Sequence, residues 1–254
     1  MRKTAIIYLI LLLLSHISLA LEAIEFHFDP QIGETLHVNM FMDTDTEGAQ
    51  NMIMETNMSM EITPIKKEGE VFTVESLVKN MKINMQMGMQ NISYDSGKEA
   101  EDEASQMLAD QFSKIIDKKI VSLITERGET KDVQLPESLK VQGFDSQTFS
   151  NNITAAYPAH PVKPGDSWES TAEFLENPAL SETKLTSTYR QETDEGYIID
   201  VEGELLGSSG DSLGTVEGYY ILDKKSHFTK ESVLTNTMEI QGMEVRNKIT
   251  VTVE

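Results

Sequence analysis

The sequence contains no cysteine. That excludes a disulfide framework, thiol catalysis and thiolate metal sites, so the core must hold by packing alone. It also excludes lipid attachment by the bacterial lipoprotein route, which needs a cysteine at the cleavage point. Positive charge is scarce. Lys and Arg total 21 against 42 Asp and Glu, a net charge of −21 over 254 residues. Such a chain repels nucleic acid and anionic membranes, so no nucleic-acid partner is expected. Histidine is sparse as well. Beyond residue 20 there are His27, His37, His160 and His227, none at metal-ligand spacing from another. No serine or aspartate stands in a recognisable nucleophile motif. These absences point away from an enzyme, and neither a cofactor nor a metal ion is expected. Trp168 is the single tryptophan, and reads as a core anchor where a strand enters a sheet.

The first twenty residues read as a signal peptide. Arg2 and Lys3 form a basic start, and Ala5 to Leu14 is an apolar run too short to span a bilayer. Ser18-Leu19-Ala20 offers small residues at the cleavage position, with Ala23 as an alternative. The expected product is exported: periplasmic, associated with the outer envelope, or secreted. Removing the leader makes the chain two charges more acidic, and no transmembrane segment is expected in the mature chain. Residues 21–254 read as one β-rich domain and a monomer. It divides into an N-terminal meander (24–95), a helix and hairpin (96–136), a connecting segment (137–165) and a C-terminal meander (166–254).

Methionine is what this chain has in quantity, 14 residues. From Leu36 to Tyr94 it recurs at every second position: Met40 and Met42, Met52 and Met54, Met58 and Met60, then Met81, Met85, Met87 and Met89. The residues between are mostly polar. Period-two alternation puts one set of side chains on one face of a strand, so the spacing predicts three strands with an apolar, Met-rich face. Asp43 to Gly48 reads as the first connecting loop. It has a passing likeness to a calcium loop, but Met54 stands where the chelating Glu belongs. The third strand spans Val71 to Ser93. Its apolar phase changes between Val78 and Met81, which predicts a bulge near Lys79-Asn80 or a break into two strands.

Ser96-Gly97-Lys98-Glu99 has the form of a capping box. Ala104, Met107, Leu108, Phe112, Ile115 and Ile116 then fall at helical spacing, predicting one amphipathic helix at about 99–118. Ile120 to Glu126 and Lys131 to Leu135 read as a hairpin turning at Arg127-Gly128-Glu129. A short second helix is an option at about 144–156. From Asp166 the chain returns to alternating strands. The expected fold class is mainly β with some α: a curved antiparallel sheet or unclosed β-barrel wrapping the helix. Whether the two meanders form one sheet or two is left open by the residues alone.

Two resemblances follow. The Met-rich opening, Tyr94-Asp95-Ser96 before the helix, and the segment Tyr157-Pro158-Ala159-His160-Pro161-Val162-Lys163-Pro164-Gly165-Asp166-Ser167-Trp168 resemble secreted β-rich proteins of Bacteroidota, a family of unknown function. The order of elements is similar to the periplasmic lipoprotein-carrier (LolA-like) half-barrel. The first resemblance implies no catalytic residues, and the second concerns shape.

Three functions are compatible with these features. Met is flexible and suits a cavity that accepts varied apolar ligands. The first reading is therefore non-catalytic binding of an apolar or amphipathic, lipid-like ligand. The residues expected to line the site are Met58, Met60, Met85, Met87, Met89, Leu108 and Phe112. The second is a structural or interaction module of the cell envelope, with a solid core and no ligand. The third is Cu(I) binding through thioethers. Met85, Met87 and Met89 would then sit about 7 Å apart along a strand, wide for three ligands on one ion.

Overall fold

The computed structural model describes residues 22–48, 51–136, 139, 155–173, 180–240 and 242–254. The leader at 1–20 lies outside them, as does nearly all of the segment 144–156 considered for a second helix.

Twelve strands follow in chain order: β1 (Leu36–Glu47), β2 (Met52–Glu68), β3 (Val71–Met87), β4 (Gln90–Asp95), β5 (Lys119–Thr125), β6 (Thr130–Gln134), β7 (Ser167–Glu173), β8 (Leu180–Glu192), β9 (Tyr197–Gly207), β10 (Ser212–Leu222), β11 (Thr229–Ile240) and β12 (Met243–Val253). One helix among the described residues, α1 (Glu103–Phe112), lies between β4 and β5. All twelve strands form a single sheet in the order β6-β5-β3-β2-β1-β12-β11-β10-β9-β8-β7, with β4 also on β3. The edge strands β6 and β7 are not paired, so the sheet is not closed into a barrel.

The two meanders are one sheet because the first strand pairs with the last. β1 runs antiparallel to β12 from Val38 opposite Val253 to Glu47 opposite Glu244. The alternation that predicted the strands is the reason they pair here. Met40 and Met42 share a face with Val251 and Ile249, while Asn39 and Asp43 share the other with Thr252 and Lys248.

Several local expectations change. Asp43 to Glu47 is strand, not loop: β1 continues through it, with Thr44 and Thr46 buried on the inner face. The long third strand is broken at Gly88-Met89 into β3 and β4, which pair as a hairpin. The expected bulge is present. Ser59 faces Asn80 and Met60 faces Val78, leaving Lys79 unpaired. At that point β3 changes its outer partner, from β5 beside Val71–Leu77 to β4 beside Lys82–Met87.

The chain between β4 and β5 makes an excursion that includes α1. The helix starts later than the sequence suggests because Asp102 caps it, its carboxylate accepting the Ser105 N–H at 2.7 Å. Ser96 does not form the capping box; its hydroxyl accepts the Met81 N–H at 3.0 Å. The helix also ends earlier. Beyond Phe112 the chain tightens, and Asp117 adopts φ 55° while donating its N–H to the Val78 carbonyl beside the bulge.

The main core lies on the inner face and gathers residues from strands at both ends of the order. Its centre is an extended segment at 24–28. Ile24 and Val162 exchange backbone hydrogen bonds at 2.8 and 2.9 Å, and the Phe28 N–H donates to Glu126. Phe26 meets Tyr189 and Tyr197 edge-on, each at 5.2 Å, whereas Phe28 meets Phe72 at 5.1 Å. Contacts to both β8 and β3 require the sheet to curl around this segment. At the seam, the Tyr157 N–H donates to Arg127 and the Trp168 indole N–H donates to Ala156. Trp168 is buried in this core, as its reading as an anchor requires.

Candidate ligand-binding face

The registers of β11, β12, β1, β2, β3 and β4 stack the inner-face side chains into rows. In one row Val251, Met40, Met58 and Met81 lie side by side. Two residues along, Ile249, Met42, Thr56, Ile83 and Tyr94 do the same. The next row is Asn236, Asn247, Thr44, Met54, Met85 and Ile92. The last is Met238, Val245, Thr46, Met52 and Met87. Neighbours within a row have Cα atoms about 4.5–5.5 Å apart, so their side chains form continuous strips.

The rows are covered unequally. α1 packs on the first two: Leu108, Ala109, Phe112 and the following Ile116 rest on Met81, Ile83 and Tyr94, with Met54 and Met58 at the margin. In the outer two rows Met52, Met54, Met85, Met87 and Ile92 are only half-buried. A polar stripe crosses the same area. The Thr44 hydroxyl donates to Asn247 Oδ1 at 2.8 Å, while Asn236 Oδ1 is buried with no hydrogen-bond partner among the described residues. A buried acceptor left unmet costs free energy until something donates to it.

The residues expected to share one cavity are therefore distributed. Met58, Leu108 and Phe112 come together beneath α1. Met85 and Met87 lie on the half-exposed strip beside them. Met60 is 1% exposed and belongs to the main core, while Met89 is 102% exposed in the β3–β4 turn. Sequence reasoning missed Met52, Met54 and Ile92 as members of this strip. Their alternation was visible, but their pairing with Met85 and Met87 required the register.

A second concavity lies at the seam. Two adjoining clefts of about 640 and 670 Å³ are lined by Arg127, Glu129, Tyr157 and Glu169, joined in the smaller by His160 and Trp168. Tyr157 donates its hydroxyl to the His227 carbonyl at 2.7 Å, and burial pushes its pKa far above the ordinary value. Burial likewise raises Tyr189 and Tyr220 to about 12. These phenols are structural and protonated.

The structure also joins two histidines far apart in sequence. The rings of His27 and His227 lie 5.2 Å apart, and His227 Nδ1 is 3.1 Å from the His27 carbonyl. Burial lowers the His227 pKa; the His27 carbonyl and Asp223 pull it the other way. Among the described residues no three His, Asp or Glu side chains gather as a metal site. Nor is any helix among them long and apolar enough to cross a membrane.

No protein-family model matches the sequence, and none of the curated proteins compared with it matches. A structure of lipovitellin, described for its lipid–protein interactions, aligns with 88% of this chain at TM-score 0.54 and 9% identity. The likeness is one of fold. The alignment covers 25% of the lipovitellin chain, so the present protein corresponds to a fraction of that molecule. A domain from Vibrio parahaemolyticus, described as an outer-membrane lipoprotein-sorting protein, aligns with 89% of this chain and 87% of its own at 10% identity, but its TM-score is 0.31. The COG4313 outer-membrane channel of Pseudomonas putida F1 aligns with 89% of this chain and 97% of its own at 7% identity and TM-score 0.24. Both scores are too low to establish a shared fold.

Proposed function

We propose that the inner face of the sheet binds the apolar part of a lipid-like or amphipathic ligand without chemical change. The observation that carries this reading is the half-buried Met52, Met54, Met85, Met87 strip beside α1, with the unmet acceptor of Asn236 in the same face. Thioether side chains adapt to varied apolar shapes at little cost. A donor on the ligand's polar end would satisfy Asn236 Oδ1, which a purely apolar molecule cannot do. The seven residues first singled out then divide by role. Met58, Leu108 and Phe112 form the floor under α1, Met85 and Met87 contact the ligand, and Met60 supports from the core. Met89, fully exposed in the β3–β4 turn, lies outside the place where the ligand rests.

The lipovitellin sheet offers an analogy of shape. In this reading residues 1–20 direct export, and the protein works in the cell envelope or outside it as a single β-rich unit. The kinship with secreted Bacteroidota proteins remains a proposal resting on the Tyr94-Asp95-Ser96 and Pro158-to-Trp168 motifs. The test is native mass spectrometry of protein purified without detergent, followed by addition of lysophospholipid. The reading expects a retained or acquired lipid mass. A clean apo mass that lipid leaves unchanged would favour the rival, an envelope module with a solid core.

A further inference from the structure

The tips of two neighbouring hairpins carry apolar side chains that the core does not use. The β3–β4 turn is Gly88-Met89, with Gly88 at φ 60° and Met89 fully exposed. One strand away, Met52 faces Met87 and Ile53 faces Gln86. Ile53 points to the outer face and is 45% exposed. This corner of the sheet is thus apolar along its inner face and at the β3–β4 tip, while on the outer face Ile53 stands as a single apolar side chain between Gln86 and Asp45. Isolated exposed apolar residues are ordinary. These adjoin one another on paired strands.

Charge is missing from the β3–β4 hairpin and from the start of β2 beside it, and begins one strand further on, at Asp45 opposite Ile53 and at Glu47. No residue from Asn84 to Ser93 is charged, nor is any from Asn51 to Met54, in a chain where 25% of residues carry charge. Placing an ion in an apolar medium is costly, so an uncharged tip is what entry into a lipid interface requires. The rest of the molecule is strongly acidic and is repelled by anionic surfaces. The strip of Met54 and Met85 begins directly beneath Met52 and Met87.

We propose that this rim docks on an electrically neutral bilayer, with Met89 and Ile53 entering the interface, and that ligand passes between the bilayer and the methionine strip. The passage of ligand rests on the reading of the inner face as a binding site; the docking does not. Because Met89 is fully exposed, changing it perturbs no packing.

The experiment is co-flotation of the full chain with phosphatidylcholine vesicles, and with vesicles made anionic by phosphatidylglycerol at low salt. Met89→Glu and the pair Met89→Glu/Ile53→Glu are compared with wild type. Binding of cis-parinaric acid in the absence of vesicles is measured in parallel, and circular dichroism checks folding. Wild type should float with neutral vesicles and less with anionic ones. The double variant should bind neutral vesicles at least about tenfold more weakly, since two apolar side chains leave the interface. Parinaric acid binding should be unchanged. If wild type ignores neutral vesicles, or if both folded variants float as wild type does, the docking proposal is overturned even when parinaric acid binds. If flotation behaves as expected but parinaric acid never binds, the ligand reading fails and the docking rim stands.

Discussion

Phe26 and Tyr189 stand edge to face with ring centroids 5.2 Å apart. Phe26 belongs to the first segment of the described chain, and Tyr189 to β8, next to one edge of the sheet. Phe28, two residues on, meets Phe72 of β3 at 5.1 Å, close to the other edge. One short extended segment thus grips both ends of a sheet that no strand pairing closes. The inner face exists as a concavity because this segment holds the curl.

Replacing Phe26 or Phe28 by alanine should therefore be among the costliest single changes. Each side chain is essentially fully buried. A loss of about 3–5 kcal/mol is expected for either, measured by urea unfolding. A loss below about 1 kcal/mol would mean that the segment is an ornament on a sheet that curls unaided.

Methionines at different depths should answer differently. Met60→Ala empties a fully buried position and should cost about 2–5 kcal/mol. Met89→Ala should change stability by no more than about 0.5 kcal/mol. Met85→Ala should cost less than Met60→Ala while weakening retention of the bound lipid. Paired denaturation and native mass spectrometry separate the two effects; equal stability losses at Met60 and Met85 would contradict this layering.

The buried His227 should make stability depend on pH. Its folded pKa lies below the ordinary 6.5, so the unfolded chain takes up the proton first as pH falls. Stability should be full above about pH 6.5 and decline below it, down to the folded pKa. His27, Asp223 and Asp29 face the ring and modulate the response. His227→Asn should flatten this part of the Tm–pH profile, and asparagine tolerates the positive φ of 53° at that position. An unchanged slope between pH 6.5 and the carboxylate range would place the titration elsewhere.

Gly128 closes the seam. An added Cβ would lie 2.0 Å from the Ala155 carbonyl and 3.0 Å from the Tyr157 ring, at a φ of 77°. Gly69 has a comparable φ of 61° with nothing within 4 Å. Gly128→Ala should therefore lower Tm clearly more than Gly69→Ala, because it adds a clash to the shared backbone strain. Equal effects would mean that the seam gives way freely.

Much of the sheet was legible because alternation reports directly on burial. Met58 and Met81 announced their shared face, and the phase change near Lys79 announced the bulge. The turn at Arg127-Gly128-Glu129 was visible in the same way. Helix limits were less so: Ser96 and Asp102 are both competent caps, and the contact of Ser96 with Met81, which decides between them, is not local. The break at Gly88-Met89 was hidden because Met87, Met89 and Ile92 do not advertise a turn. Long-range relations escaped altogether. Nothing in Val38 names Val253 as its partner, and Phe26 and Phe28 alternate like any strand rather than like the centre of a core. The candidate face suffered the same way. Met85 and Met87 were recognisable, but that they lie beside Met52, Met54 and Asn236 depends on register.

The central claim is that the methionine strip is where ligand rests, and methyl NMR of protein labelled at the methionine methyl groups tests it most directly. On titration with a monomeric lysophospholipid, the signals of Met54, Met58 and Met85 should shift together and saturate, while those of Met60 and Met89 stay in place. Shifts confined to Met89, or no saturable shift at any methionine, would contradict the account.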